Sequence, residues 1–194
     1  SSGSIERTEL TQMKNAFKGF VDAFLPNTPT EIAVVEFDET ASLTKNYTNN
    51  ALDVKNAINS AVSGGCTNWE AALAKAHGQF NNRLDKPDLY VFASDGNPNT
   101  IIGGRPCGTS GSTAVAKAVQ KANQIKSDGV RIITLGIGDS LKPSNLIAIS
   151  SLADYHDSDF DKLANDLAAI AAELCGGTIT VKKLVNGQPA ENWE

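Results

Sequence analysis

The sequence has no run of apolar residues approaching the roughly 20 that a membrane-spanning helix needs, and it has no cluster of basic residues. Its 17 lysine and arginine residues are outnumbered by 22 acidic ones, which gives a net charge of −5. Binding to nucleic acid or to an anionic membrane requires a basic surface. We therefore expect no nucleic-acid partner and no membrane insertion in this segment.

Cysteine and histidine are also scarce. The three cysteines include no CxxC pair, so their spacing does not fit a zinc site, and either one thiol is free or its partner lies outside this chain. His77 on a predicted helix and His156 in a predicted polar loop offer no credible base for a hydrolase. GTSGS is not a nucleophile elbow, and GIGDSL lacks the third glycine of a dinucleotide-binding loop. We expect no enzymatic activity, and a nucleotide-binding enzyme is the least favoured alternative.

What the sequence does have is an alternation of apolar strands and amphipathic helices. Its 194 residues, 41 % of them hydrophobic, suffice for one α/β domain but not for two. Three runs are typical of buried strands, EIAVVEF, DLYVFAS and VRIITLGIG, and the more polar ASLTKNYT is typical of an edge strand. Helical spacing is found over residues 5–25, 49–62, 69–84, 112–127 and 159–175. This order predicts a Rossmann-like, doubly wound, mostly parallel sheet with helices on both faces.

The C-terminal residues follow a different pattern. After Gly176 and Gly177, the stretch TITVKKLVNGQPAENWE alternates apolar and polar residues and contains an Asn-Gly turn signal. We place a boundary here. One domain would cover residues 1–176, and residues 177–194 would be a short β stub, either the start of a second, β-rich domain or a linker strand.

Hydroxyl and carboxylate side chains occur in three predicted loops at the end of the sheet where open α/β folds bind ligands. The loops are SSGS, GGCTNWE and ASDGNPN. If they converge, Ser2, Ser4, Thr67 and Asp95 offer hard oxygen ligands of the kind that Mg²⁺ prefers. SSGS could also be a vector linker, which would reduce the site to a remnant.

In this order the loops resemble the metal-ion-dependent adhesion site of von Willebrand factor type A domains. That site is written DxSxS, then a threonine, then an aspartate in a TDG-like turn. SSGSI resembles the first motif without its aspartate, GGCTNWEAAL resembles the threonine loop, and VFASDGNP resembles the aspartate turn. The likeness in motif order and element order runs from Ser1 to about Cys175.

The resemblance implies a non-enzymatic cell-surface adhesion module. In the family, a divalent cation joins the domain to an acidic group of its ligand, so Mg²⁺, or alternatively Mn²⁺ or Ca²⁺, would link this chain to a carboxylate of a protein or extracellular-matrix ligand. Specificity would come from the surrounding loops, chiefly residues 96–111. The alternative is a structural subunit or tip domain of a surface filament or pilus, with a vestigial or stabilising metal site.

The resemblance also implies that one strand is missing. In the family, an apolar central strand and the first motif aspartate stand directly before the first serine, and neither is in this sequence. Loss of a central strand would remove two rows of backbone hydrogen bonds and open a gap in the core. We expect an upstream segment or a companion chain to supply both.

The cysteines fit the same resemblance. Convergence of the threonine and aspartate loops would bring Cys66 and Cys107 close enough to form a disulfide. Cys175 would then pair with an upstream partner near the missing strand, and disulfides imply a secreted or cell-surface location. The stub from Thr178 resembles the first strand of immunoglobulin-like repeats in Gram-positive surface proteins. That likeness makes Lys183 an isopeptide candidate and predicts a Gram-positive bacterial source.

Overall fold

The structure is a computed structural model that describes residues 5–80, 88–152 and 154–175, together with the backbone of residues 184–185 and 188–189. Ser2, Ser4 and Lys183 lie outside the described residues. The elements follow one another along the chain as α1 (Arg7–Phe24), β1 (Ile32–Phe37), β2 (Ala41–Thr48), α2 (Ala51–Ser60), α3 (Trp69–His77), β3 (Leu89–Ser94), α4 (Gly111–Ser127), β4 (Arg131–Ile137), α5 (Pro143–Ile149), β5 (Tyr155–Ser158), α6 (Leu163–Cys175), β6 (Leu184–Val185) and β7 (Gln188–Pro189).

The main strands form two separate sheets. β1 pairs antiparallel with β2, which is the edge strand that the sequence predicts. β3, β4 and β5 form a parallel sheet in that order, and β3 and β4 stay in register from Leu89 opposite Arg131 to Ser94 opposite Gly136. Helices connect the parallel strands, so the fold is the expected Rossmann-like α/β fold. The short β6–β7 pair is antiparallel and flanks the predicted Asn-Gly turn.

Helices pack on both faces of the parallel sheet, and the buried residues of β4 are divided between two hydrophobic cores, one on each face. Ile132 lies in a core with residues of α3, α4 and α5, including Trp69. Ile133 and Leu135 lie in a second core with α1 and α6. This alternation is what a strand covered on both sides requires.

Three sequence predictions about element bounds need correction. His156 lies on β5, not in a polar loop, because β5 obtains its hydrogen bonds from pairing with β4 and needs no apolar run of its own. The last helix begins at Leu163 instead of Asp159. The helix predicted over residues 69–84 ends at His77, with Gly78 as its C-cap.

Within the described residues, no helix is long and apolar enough to cross a membrane.

The burial predicted for EIAVVEF is not found. All six residues of β1 are partly exposed, whereas six of the seven residues of β4 are buried. The difference arises at a cavity of about 640 Å³ between β1 and β3. The walls of the cavity also include α1 residues such as Phe17 and α3 residues such as Leu73. Because the cavity separates β1 from β3, most residues of the two strands are partly exposed.

Candidate metal site

Thr67 and Asp95 lie in two segments that are hydrogen-bonded to each other. The Thr67 amide donates to Asn99 Oδ1 at 2.9 Å. The Thr67 carbonyl accepts from the amides of Asn99 at 2.9 Å and Thr100 at 3.2 Å. Asn99 follows Asp95 by four residues, so these bonds hold the threonine loop against the loop that leaves β3. Thr67 and Asp95 are only 5 % and 7 % exposed.

A buried tryptophan connects α3 to the residue before Asp95. Trp69 is fully buried, and its indole Nε1–H donates to Ser94 Oγ at 3.0 Å. The Ser94 hydroxyl in turn donates to the Gly96 carbonyl at 2.9 Å. Asp95 therefore has a fixed residue on each side. Because buried polar groups rarely lack partners, this chain of bonds strongly favours one backbone path at Asp95.

The β1–β2 turn forms a third side of the site. The Asn68 amide donates to the Asp38 carbonyl at 2.8 Å, and Asn68 Nδ2 donates to the Glu39 carbonyl at 3.0 Å. The same side chain caps α3, because Asn68 Oδ1 accepts from the Ala71 amide at 3.0 Å. Asn68 thus fixes the end of β1 and the start of α3 at the same point.

A disulfide joins Cys66, next to Thr67, to Cys107 in the loop after Asp95, and their Cα atoms are 5.3 Å apart. This is the pair whose approach the sequence analysis expected. The Cys107 amide also donates to Thr100 Oγ1 at 2.9 Å. Cys175 is exposed, and within the described part of the chain it forms no disulfide. Its pairing with an upstream cysteine stays a prediction.

The loop over residues 96–110 is ordered by polar contacts and presents an apolar residue at its tip. The Ile102 amide donates to Glu70 Oε2 at 2.9 Å, and the Thr109 amide donates to the Asn99 carbonyl at 3.0 Å. The Ile102 side chain is 55 % exposed. Glu70 is in the first turn of α3, so the loop tip is tied to the helix that follows Thr67.

The structure brings Thr67 and Asp95 to one end of the sheet, and the other two predicted ligands, Ser2 and Ser4, lie outside the described residues. Across residues 5–80, 88–152 and 154–175, no three histidine, cysteine or acidic side chains come together to hold a metal ion. A cation here would depend on hydroxyl oxygens and the Asp95 carboxylate. Such a hard-oxygen set fits Mg²⁺ and does not fit a soft-metal site.

The sequence analysis missed the residues that hold the two loops together. It assigned no role at the site to Asn99, Glu70 or Asn68. Asparagine in a Gly/Pro-rich loop is a common turn residue, so its type alone carries little information. The bonds from Asn99 to Thr67 link residues 32 positions apart, and only the fold brings them together.

The von Willebrand factor type A domain family matches residues 1–169. The chain therefore belongs to the von Willebrand factor type A family. No curated protein sequence matches it.

Several solved structures share the fold at low sequence identity. The von Willebrand domain of the type V pili tip protein Mfa5 from Porphyromonas gingivalis has a TM-score of 0.79 and 15 % identity, and the match covers 95 % of each chain. Proximal thread matrix protein 1 from the mussel byssus, with a zinc-occupied metal-ion-dependent adhesion site, has a TM-score of 0.72 and 21 % identity, over 90 % of this chain and 46 % of that one. Manganese-loaded TRAP from Plasmodium vivax has a TM-score of 0.64 and 17 % identity, over 84 % of this chain and 67 % of that one. The chain spans less than half the length of the byssus protein.

Proposed function

We propose that this domain is a non-enzymatic adhesion module that binds an acidic group of an extracellular protein or matrix ligand through a divalent cation. The observation that supports the proposal is that the Thr67 backbone is hydrogen-bonded to Asn99 and Thr100, in the loop that follows Asp95 at the carboxyl end of β3. Mg²⁺ is the cation that the oxygen donors favour. The zinc-occupied and manganese-loaded relatives make Mn²⁺ and Zn²⁺ useful probes beside it.

The division of roles follows from donor chemistry. Thr67 would supply a neutral hydroxyl oxygen, Asp95 a carboxylate oxygen directly or through a water, and Ser2 and Ser4 two further hydroxyls. A divalent cation held by few charges keeps net positive charge and accepts a carboxylate from a partner. The chain's own part is to hold Thr67 and Asp95 in a pocket rim that the Trp69 hydrogen bond and the Cys66–Cys107 disulfide stiffen.

Recognition beyond the carboxylate would come from the loop over residues 96–110. Its path is held by Glu70 and Asn99, so little ordering entropy remains to be lost when a ligand binds. Exposed Ile102 offers an apolar contact next to the acidic group. An acidic residue followed or preceded by an apolar one is therefore the ligand feature that fits this surface.

An extracellular location agrees with the disulfide at the site, because disulfides persist in oxidising compartments. The pilus-tip and byssus proteins among the relatives also fit an extracellular setting. The Gram-positive source and the isopeptide role of Lys183 remain predictions. The domain limits at 1–176 and 177–194 also stay a prediction.

The test is binding of an Asp-Ile-containing peptide, immobilised on a sensor surface, in Mg²⁺ and in EDTA. We expect binding in Mg²⁺, loss in EDTA, recovery when the metal returns, and loss in Asp95→Asn. Glu173→Gln is the matched control, because Glu173 is an exposed carboxylate near Arg131, at the start of β4 and thus at the opposite end of the sheet. This control should bind as the parent does.

Two results would count against the proposal. One is binding that EDTA leaves unchanged, which would favour the filament-subunit alternative. The other is equal loss in Asp95→Asn and Glu173→Gln, which would indicate a general charge effect. Circular dichroism and urea unfolding of each variant separate a binding defect from unfolding.

A further inference from the structure

The loop over residues 96–110 carries a single charged side chain, that of Arg105. Between Asp95 and Lys117, every residue except Arg105 is uncharged. Arg105 is exposed, and within the described residues its guanidinium forms no hydrogen bond or ion pair. Arg131, by contrast, binds both carboxylate oxygens of Asp154. The positive charge of Arg105 is therefore available to a partner outside the domain.

Carboxylates near the candidate metal site have partners other than Arg105. Glu70 Oε2 accepts from the Ile102 amide at 2.9 Å. Asp38 Oδ1 accepts from the Thr40 amide at 2.8 Å. These bonds hold the loop tip and the β1–β2 turn in place. The domain has a net charge of −5, yet it presents an unpaired cation beside the site where it would bind an anion.

The backbone on which Arg105 stands is fixed. The Gly108 amide donates to the Arg105 carbonyl at 3.0 Å and closes a turn over residues 105–108. Within this turn, Cys107 has a φ of 51°, in the left-handed region that residues other than glycine rarely adopt. Such a conformation persists where several contacts impose it, and here the disulfide to Cys66 and the amide bond to Thr100 do so. The turn therefore has one strongly preferred conformation.

The first atoms of the Arg105 side chain are also confined. A Cβ atom added at Gly108 would lie 3.2 Å from Arg105 Cβ and 3.3 Å from its Cγ, so the side chain leaves the backbone directly over this glycine. Pro106 follows Arg105 and disfavours a helical backbone there. A confined side chain loses less entropy when it binds a partner.

Arg105 is close enough to the candidate metal site for one ligand segment to reach both. The Cα atoms of Cys66 and Cys107 are 5.3 Å apart. Thr67 follows Cys66, and Arg105 precedes Cys107 by two residues, so the Cα atoms of Thr67 and Arg105 are at most about 17 Å apart. About five residues of extended peptide span that distance.

We propose that Arg105 is a second anchor for the ligand and binds a carboxylate within about five residues of the one that the cation binds. The planar guanidinium donates two parallel hydrogen bonds to a carboxylate, which a lysine ammonium does not. The inference rests on the adhesion function proposed above and narrows the ligand class. The partner presents a short segment with two acidic side chains and an apolar one that contacts Ile102.

The test measures how much a second acidic residue tightens peptide binding. Each immobilised peptide contains Asp-Ile in a neutral Gly/Ser segment, and Glu is placed two to five positions before or after the Asp, one placement per peptide. A paired peptide has Gln in place of each Glu. The ratio of the two Kd values in Mg²⁺ is the gain due to the second carboxylate, and the same pairs in EDTA show its dependence on the cation.

Four proteins are compared: the parent, Arg105→Gln, Arg105→Lys and Lys117→Gln. Lys117 is exposed on α4, so its substitution removes the same unit of charge from a site outside the loop and is the matched control. In the parent we expect at least one Glu placement to bind about five-fold tighter than its Gln pair.

Arg105→Gln should abolish this gain and leave the Kd of the Gln peptide within about two-fold of the parent's. Arg105→Lys should keep only part of the gain, because the ammonium is a point charge, and Lys117→Gln should keep all of it. The gain should also shrink at high salt, which screens an exposed ion pair. Binding of the Gln peptide by each variant shows that the variant is folded.

Three results overturn the inference: no Glu placement tightens binding in the parent, the gain persists in Arg105→Gln, or Lys117→Gln abolishes it equally. In each of these cases the Gln peptides still bind in Mg²⁺ and not in EDTA, so the adhesion function is retained and only the second anchor is lost. If no peptide binds in Mg²⁺, both proposals are wrong. The two failures are therefore distinguishable.

Discussion

The indole N–H of Trp69 and the hydroxyl of Ser94 form a buried 3.0 Å hydrogen bond between the first turn of α3 and the last residue of β3. Thr67 precedes the tryptophan by two residues, and Asp95 follows the serine directly. The bond therefore sets the spacing of the two candidate ligand segments from inside the core. The adhesion proposal depends on this fixed spacing, because a cation can bind only where the two segments stay close together.

We expect Ser94→Ala to leave the Trp69 N–H buried without its partner and to lower the free energy of unfolding by about 1–3 kcal/mol. Trp69→Phe, which removes the donor, should cost less in the Ser94→Ala background than in the parent, so a double-mutant cycle by urea unfolding should show coupling. In Mg²⁺ titrations, Ser94→Ala should need more cation for half-maximal peptide binding. Additive stability effects would contradict a direct bond.

Removal of the site disulfide should destabilise the domain. Cys66 and Cys107 are 41 residues apart, and closing a loop of that length predicts a loss of about 4 kcal/mol in the double variant Cys66→Ser/Cys107→Ser. Urea unfolding measures the loss. Cys175→Ser is the control and should be close to neutral, because the Cys175 thiol is exposed. A stability equal to the parent's in the double variant would argue against the bond.

Ile102→Ser should weaken peptide binding in Mg²⁺ without changing the urea midpoint of unfolding. The side chain is exposed, and the hydrogen bond from the backbone amide of residue 102 to Glu70 is retained. Ile147 on α5 is 53 % exposed and serves as the control at Ile147→Ser. We expect the Kd for the peptide to rise several-fold, because this is the affinity that one partly buried aliphatic contact contributes. Equal effects of both substitutions would remove the loop tip from the recognition surface.

The stability of the domain should fall in alkaline solution. Burial, together with the hydrogen bond to Asp157 and the charge of that residue, raises the pKa of Tyr155 to about 12. Burial also raises the pKa of Tyr90 well above its usual range. The folded-state pKa of these phenols lies above the unfolded value of about 10. Their contribution to the free energy of unfolding is therefore fully present below pH 10 and is lost as the pH rises through 12.

Urea unfolding at pH 9 and at pH 11.5 measures this loss, in a Cys175→Ser background that limits disulfide exchange at high pH. Tyr155→Phe should lose less stability between the two pH values than the parent. Unfolding of the parent and of Tyr155→Phe at pH 7 and pH 9, where the phenol stays largely protonated in both states, is the control, and the stability difference between the two proteins should not change over that range. An identical pH dependence in Tyr155→Phe would show that this phenol does not contribute.

Much of the fold could be predicted from the sequence, because its strands and helices carry strong local patterns. VRIITLGIG becomes the most buried strand, and the apolar face of residues 5–25 becomes α1. β5 could not be found, since Tyr-His-Asp-Ser carries no strand signal and is defined only by its partner. At the site, motif order singled out Thr67 and Asp95 as candidate ligands, and that role stays a prediction. Asn99 and Glu70 were assigned no role, because their roles depend on contacts between distant segments.

The five residues from Cys66 to Glu70 hold the disulfide, the candidate hydroxyl ligand, the cap of α3, the buried indole and the carboxylate that fixes the Ile102 loop. Any substitution there alters several properties at once. The Ile102 side chain is exposed, and its loop is attached to Glu70 through the Ile102 main-chain amide, so we expect a change of this side chain to be tolerated. Gly103 has a positive φ and a side chain on Gly104 would meet Ile101, so both glycines should be kept. Libraries aimed at new binding partners should therefore vary position 102 and keep the pentapeptide constant, so that affinity can evolve without a matching loss of folding yield.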